Sequence, residues 1–378
     1  MPHVRLGLDV FSLRSQGLSA MGVLDFCAAR GIEVVHFSEP RLLGPIDGES
    51  LHRVRSRADS LGIQLEVGML SICPSATIFN PAEGDAETQL IAMFEVARIL
   101  GSPFVRCVVG SWRDRVNIDV CIADAVKVLR HVRERAIEAG VKIAVENHAG
   151  DMQARELARL VEAAGPDVVG VCIDAGNALW AIEDPRLTLE TLAPYVLASH
   201  TRDGALRPAA NGAEVAWTRM GEGNVGIAEY IHAFLTHCPG RPLMLEVIVM
   251  PAPRALPFRE ASFWDGYRGM PAWEFQRFLD LLHAATPVVL PRARSTRPRS
   301  SRTSKPACAG RVSSSPPPDR LPQFTRVATI RGAFGAFADP SIRLPVTVPS
   351  YSVFPTVTVI VVPRSRPFTS LGAPVLGV

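Results

Sequence analysis

Along the first 285 residues, helix-like amphipathic runs end on a glycine and pass directly into a short apolar run. The pattern recurs as Ala29-Arg-Gly-Ile-Glu-Val-Val, Ser60-Leu-Gly-Ile-Gln-Leu-Glu-Val, Ile99-Leu-Gly-Ser-Pro-Phe-Val and Glu138-Ala-Gly-Val-Lys-Ile-Ala-Val. A glycine just past a helix's last turn takes the left-handed conformation at little cost, so Gly31, Gly62, Gly101 and Gly140 mark helix ends about one βα unit apart. Reading strands as β-branched runs of four to seven residues gives eight, at 4–10, 34–39, 63–68, 104–109, 141–146, 168–173, 196–200 and 243–247. Helical patterns lie between them and after the last, where Trp273, Phe275, Phe278, Leu281 and Leu282 recur. Eight βα units in about 285 residues predict a (β/α)8 TIM barrel. A doubly wound sheet is the alternative, but it seldom needs eight regular units.

Composition adds a boundary. The chain has 378 residues and is 47% hydrophobic, with 5 Trp and 16 Phe, which supplies a sizeable core and excludes wholesale disorder. No run approaches 18 apolar residues, and the N-terminus lacks the blocks of a signal peptide, so neither a spanning helix nor a leader is expected. The 7 Cys are scattered and never form Cys-x-x-Cys. That argues against a disulfide framework or a structural zinc cluster and makes a reducing cytoplasm the expected location. The net charge of +3 hides a division: up to residue 285 there are about 27 Lys and Arg against 35 Asp and Glu, and from 286 onward about 13 against 2. Residues 286–378 also hold about half of the 31 Pro and no Glu, His, Asn, Met or Trp. Two domains follow: a barrel at 1–285 and a basic, Pro/Arg/Ser-rich tail at 286–378, expected to be largely disordered. A basic arm for nucleic acid or an acidic partner is the functional reading of the tail; an appendage without function is the plainer one.

In such a barrel, catalytic groups project from the C-terminal strand ends. Here Glu39 ends the second strand, Glu146 the fifth, Asp174 the sixth and His200 the seventh, and Glu246 lies at the end of the eighth. A lone glutamate at such a place is usually a loop ion pair. Three carboxylates and an imidazole at the same end of four consecutive strands are hard to produce by chance. Unmetallated, the carboxylates would repel and raise one another's pKa, and a divalent cation removes that conflict. An O3N donor set with open positions favours Mn2+ or Mg2+ before Co2+ or Zn2+.

Val-Glu146-Asn-His148, Ile-Asp174-Ala-Gly-Asn177, Ser-His200-Thr-Arg-Asp203, Gly221-Glu-Gly223 and Leu-Glu246 together resemble the xylose isomerase-like barrel superfamily, nearest its sugar phosphate isomerase/epimerase group. The resemblance covers about residues 4–285 and implies Glu146, Asp174, His200 and Glu246 as ligands of one divalent metal. It also implies Glu146 and Glu246 as the acid/base pair. Where family epimerases often carry Asp-x-x-His after the sixth strand, Asn177 stands at the fourth position. The apurinic endonuclease branch needs many more histidines, and the acidic barrel argues against a phosphate-backbone partner, so nucleic acid is not expected.

The expected substrate is a small keto sugar or related polyol whose metal-chelated carbonyl acidifies the adjacent C–H. A carboxylate removes that proton, giving an enediolate, and its return to the opposite face or the neighbouring carbon makes an epimerase or an isomerase. Departure of a β-hydroxyl instead makes the same site a lyase of the inosose or dehydroshikimate dehydratase kind; a non-catalytic barrel is the third reading. His148, Asn177, Arg202 and Trp112 are candidate substrate-binding residues. Arg202 has pairing with Asp203 as its plainer alternative, and Trp112, Trp180 and Trp217 fall in expected βα loops. Arg106 and Arg113 are second-rank candidates. Phe263-Trp-Asp-Gly-Tyr267-Arg268 is a candidate lid or dimer contact, so a homo-oligomer is an open expectation.

Overall fold

The computed structural model describes residues 3–250 and 252–288, so the tail expected to be disordered lies almost wholly outside the described residues. Within them the strands, in chain order, are β1 (Leu6–Asp9), β2 (Val34–Phe37), β3 (Gln64–Ser71), β4 (Phe104–Val108), β5 (Lys142–Glu146), β6 (Val169–Asp174), β7 (Val196–His200), β8 (Asp203–Ala209), β9 (Gly212–Thr218), β10 (Leu243–Leu245) and β11 (Arg254–Leu256). Eight of these form one parallel sheet in the order β10-β1-β2-β3-β4-β5-β6-β7. A bridge between Thr201 and Leu245 brings its two edges together, making the expected eight-stranded barrel.

Helices intervene as the glycine pattern predicts. Gly62, Gly101 and Gly140 end the helices Gly48–Leu61, Ala86–Leu100 and Arg133–Ala139 with φ of 68°, 70° and 67°. Asp47 and Asp85 open the first two of these by accepting from the amides of Ser50 and Thr88, which satisfies N–H groups that have no partner within the helix.

Strand residues alternate between two surroundings because successive side chains point to opposite faces. Val35, Phe37, Leu65, Val67, Ile143 and Val145 face outward and pack with helix residues such as Leu24, Leu90 and Leu157 in the main core. The alternate residues face the barrel axis. At its lower end these are small or apolar: Phe104, Ala144, Cys172 and Ala198. Above them the axis turns polar, with Asp9, His36, Glu66, Arg106, Glu146, Asp174 and His200 all buried.

Three strands were not expected. β8, β9 and β11 form a separate antiparallel sheet, and Trp217, expected in a loop, lies on β9. Asp203 anchors the root of this hairpin by accepting from the amides of Gly204, Gly221 and Gly223, which accounts for the Gly-Glu-Gly motif. The Phe263–Arg268 segment packs inward, with Phe263, Trp264 and Tyr267 against a second core containing Phe278 and Leu282.

Candidate active site

β2 ends at Phe37, so Glu39 lies beyond it, on a loop, paired with Arg41. The polar residue that β2 contributes to the axis is His36, three residues earlier. The other four strand-end residues meet as expected: one ligand atom each from Glu146, Asp174, His200 and Glu246 lie within 4.8 Å of one another, and all four residues are buried.

The parallel register explains the convergence. Asp174 is level with His200 across the β6–β7 pair. Glu246 follows β10, its amide bonded to the carbonyl of Thr201, which directly follows His200. His200 Nδ1 lies 3.1 Å from Glu146 Oε2 and 2.9 Å from Glu246 Oε2. Its Nε2 lies 3.0 Å from His36 Nδ1 and 3.4 Å from Asp9 Oδ2. Asp9, His36 and His200 form a second close donor group beneath the first. The sequence reading missed Asp9 and His36; their period-2 placement with the strand-end polar residues was the available signal.

Two arginines enter the cluster. Arg106 Nη2 is 2.5 Å from Glu146 Oε2, so the strand register left open by the sequence turns this side chain inward. Arg202 does not pair with Asp203; its Nη2 lies 2.5 Å from Glu246 Oε2 and its Nε 2.7 Å from Asp174 Oδ2. A Cβ on Gly176 would fall 2.8 Å from Arg202 Cβ and 3.1 Å from Trp217 Nε1, so only glycine leaves room for this arrangement. Trp217 then donates Nε1–H to the Gly176 carbonyl, and its ring carries the Arg202 guanidinium at 4.3 Å.

The other candidates fall nearby. Asn177 donates to Glu146 Oε1 at 3.0 Å, so in this arrangement it orients the carboxylate. His148 Nδ1 lies 2.8 Å from the Gly110 carbonyl, which fixes the proton on that nitrogen. Trp112, 40% exposed, stands at the mouth of the barrel, where it opens the 3-10 turn Trp112–Asn117 after β4.

Charge sorts these groups. Burial acts against ionising both glutamates, but Arg106 and His200 hold Glu146 well below its usual range, and Arg202 and His200 hold Glu246 at about 2. Burial pushes Asp174 up to about 7 despite Arg202. For His200, burial disfavours the charge, but Glu246 and Glu146 outweigh it and raise its pKa well above the ordinary value. His36 is pushed well below its usual value, first by burial and then by His200.

The cluster is therefore neutralised by two guanidiniums and an imidazolium, not left as three repelling carboxylates. It still fits a divalent cation. Asp174 Oδ2, His200 Nδ1 and Asn177 Oδ1 are buried without a well-formed hydrogen bond. Exchanging the protons of Asp174 and His200 for one M2+ leaves the cluster's charge unchanged.

Comparison with known proteins agrees with this architecture. Residues 24–264 match the family described as the xylose isomerase-like TIM barrel. The chain belongs to that family. A curated relative, 3-oxo-isoapionate decarboxylase from Pectobacterium atrosepticum, is 27% identical over 189 residues, which cover 50% of this chain and 62% of the relative. Among solved structures, D-psicose 3-epimerase with D-tagatose from Clostridium cellulolyticum H10 superposes with a TM-score of 0.52 at 15% identity, covering 74% of this chain and 99% of that one. IOLI protein with a binding zinc atom gives 0.52 at 14% identity, over 75% and 99%. The probable 3-DHS dehydratase AsbF from Bacillus anthracis gives 0.51 at 14%, over 64% and 92%. At these identities the superpositions speak for the fold. No helix among the described residues is long and apolar enough to cross a membrane.

Proposed function

We propose that the protein is a divalent-metal-dependent isomerase or epimerase of a keto sugar or related polyol, working through an enediolate. The observation that carries this reading is the meeting of Glu146, Asp174, His200 and Glu246 at the C-terminal ends of neighbouring strands. These four residues would hold the metal, Mn2+ or Mg2+ in preference to Co2+ or Zn2+. Bound there, the cation supplies Lewis acidity to a substrate carbonyl and lowers the pKa of the adjacent C–H.

The remaining work belongs to the chain's own side chains. Glu146 and Glu246 flank His200 Nδ1, so one carboxylate removes a proton from carbon and the other returns it. Arg106 anchors Glu146, and Asn177 orients it from the other oxygen. Arg202 holds a substrate oxygen when a ligand draws it from Glu246, which restores basicity to that carboxylate. His148, its Nδ1 committed to Gly110, keeps Nε2 for a substrate hydroxyl, and Trp112 walls the mouth.

A lyase is the second reading, favoured by the name of the curated relative, a decarboxylase. The same cluster would then support the enolate left when a carboxylate departs as CO2, or the enolate formed by proton removal, whose electron pair makes the new C=C as a β-hydroxyl departs as water. The test is metal loading followed by a panel of keto sugars, keto-sugar acids, inosose and dehydroshikimate in D2O. Deuterium incorporated into a carbon-retaining product supports the isomerase or epimerase. Release of CO2 or water supports the lyase. A chain that binds no divalent metal refutes both.

A further inference from the structure

The buried and half-buried arginines around the barrel are, as a rule, paired. Arg106, Arg115, Arg155, Arg202 and Arg277 each meet at least one carboxylate. At the mouth, the half-buried Arg254 breaks that rule, and the exposed Arg113 beside it is unpaired too. Arg254, the first residue of β11, places its guanidinium 4.2 Å from the ring centre of Trp112 and 4.6 Å from that of Trp180. Arg113 places its own 4.5 Å from the ring of Trp112. Among the described residues neither guanidinium has an ion-pair partner, and Arg254 Nε is buried with no hydrogen bond. Burial, with Arg113 nearby, pushes Arg254 down to about 10. Two unpaired cations gathered on one ring, one half-buried and one exposed, are arranged for an anion that the protein does not supply.

Their location ties them to the charged cluster. Trp180 stacks on Trp217 with ring centres 4.5 Å apart, and Trp217 lies against Arg202, which reaches Glu246 and Asp174. The 3-10 turn after β4, the short helix Ala175–Trp180 after β6, the β8–β9 hairpin and β11 thus build one ladder of rings and guanidiniums from the carboxylates outward. Its outer end is partly open to solvent at Trp112.

We propose that Arg254, assisted by Arg113, forms an oxyanion subsite for the distal end of the substrate, so that the substrate is a keto sugar bearing a phosphate monoester or a carboxylate away from the reacting carbons. The choice of a keto sugar rests on the functional reading above; the subsite itself needs no metal. Planar guanidiniums held against aromatic rings are suited to two-point contact with such a group.

The experiment is calorimetric titration of the full chain in EDTA with inorganic phosphate and, separately, D-glycerate at matched ionic strength. Saturable binding of at least one is expected, weakened about tenfold or more in Arg254→Met, as for loss of a charged hydrogen bond. The exposed Arg113→Gln should weaken it severalfold without disturbing the fold. Tighter phosphate binding assigns a phosphate ester, and tighter glycerate binding a sugar acid. No saturable binding of either anion, or unchanged affinity in Arg254→Met, overturns the subsite. If Arg254→Met does not fold, Arg113→Gln decides by the same criterion. A protein that binds the anion but no metal retains the subsite and loses the proposed reaction; one that binds metal but neither anion does the reverse.

Discussion

The two faces of the barrel wall solve opposite problems with the same strands. The outward face packs Val, Ile, Leu and Phe against helices, as with Phe37 and Ile143, and needs only shape and burial. The inward face, from Arg106 to Glu246, buries five carboxylates, two guanidiniums and two imidazoles along the axis. That face is held by pairing: Glu146 by Arg106, Glu246 and Asp174 by Arg202, and His200 by both glutamates. A buried ion pair is weak evidence for stability, because desolvation consumes most of what attraction returns. The contrast indicates that the outer face stabilises the fold while the inner face uses part of that stability to keep charges available for chemistry.

The sharpest way to test this division is to neutralise the inner carboxylates. Glu146→Gln and Glu246→Gln should each cost about 10²–10⁴ in turnover, since a ligand charge and a proton acceptor leave together. Asn177→Ala, which removes only an orienting bond, should cost far less. Near-normal turnover in either Gln variant would refute the acid/base roles, and progress curves on the active substrate decide it.

Stability should separate the faces next. Phe37→Ala should destabilise by about 3–5 kcal/mol in denaturant unfolding, with or without metal. Arg106→Met leaves Glu146 buried without its cation, a loss of about 3–5 kcal/mol in EDTA, and Mn2+ should restore part of it by binding the native state. No stabilisation by Mn2+ of either the native chain or Arg106→Met would show that the carboxylates do not hold the metal.

The pH dependence of metal binding is a smaller effect. Below about pH 7 the metal-free cluster carries protons on both Asp174 and His200, whose pKa values are raised to about 7 and well above the ordinary value. Binding expels both, so affinity should rise with pH by up to about a hundredfold per unit. Above pH 7 only the His200 proton remains, and the slope should fall to about tenfold per unit. Mn2+ titrations at several pH values measure this; a flat profile would remove His200 from the ligand set. The least effect is expected at the far end of the chain, where the last described helix closes at Ala284. A protein ending at Pro287 should fold, bind metal and turn over as the full chain does, and loss of any of these would move the domain boundary proposed at 285.

Much of this arrangement could be read in the sequence, and the exceptions have physical causes. The barrel was legible because helix-ending glycines and apolar runs repeat with a βα period, and the strand-end residues Glu146, Asp174, His200 and Glu246 are conspicuous against apolar neighbours. Asp9 and His36 were hidden because their strands read as apolar, and where a strand ends decides which of His36 or Glu39 reaches the axis. Arg106 was seen but not oriented, since a one-residue slip turns a side chain to the other face. The β8–β9 hairpin follows β7 after only two residues, so its alternation reads as a loop between βα units.

The barrel also has a seam. Its other staves are joined by at least three register pairs each, whereas among the described residues β7 and β10 share one β-bridge, Thr201 with Leu245, and the Ser199 hydroxyl, which donates to the Pro242 carbonyl and accepts from the Met244 amide. The side chains beside that bridge are His200 and Glu246, 2.9 Å apart, so an electrostatic clasp adds to the few hydrogen bonds that close the cylinder there. The amides of Thr201 and Glu246 should therefore be the first of the wall to exchange with deuterated solvent, and a ligand that draws on His200 or Glu246 should change that exchange rate.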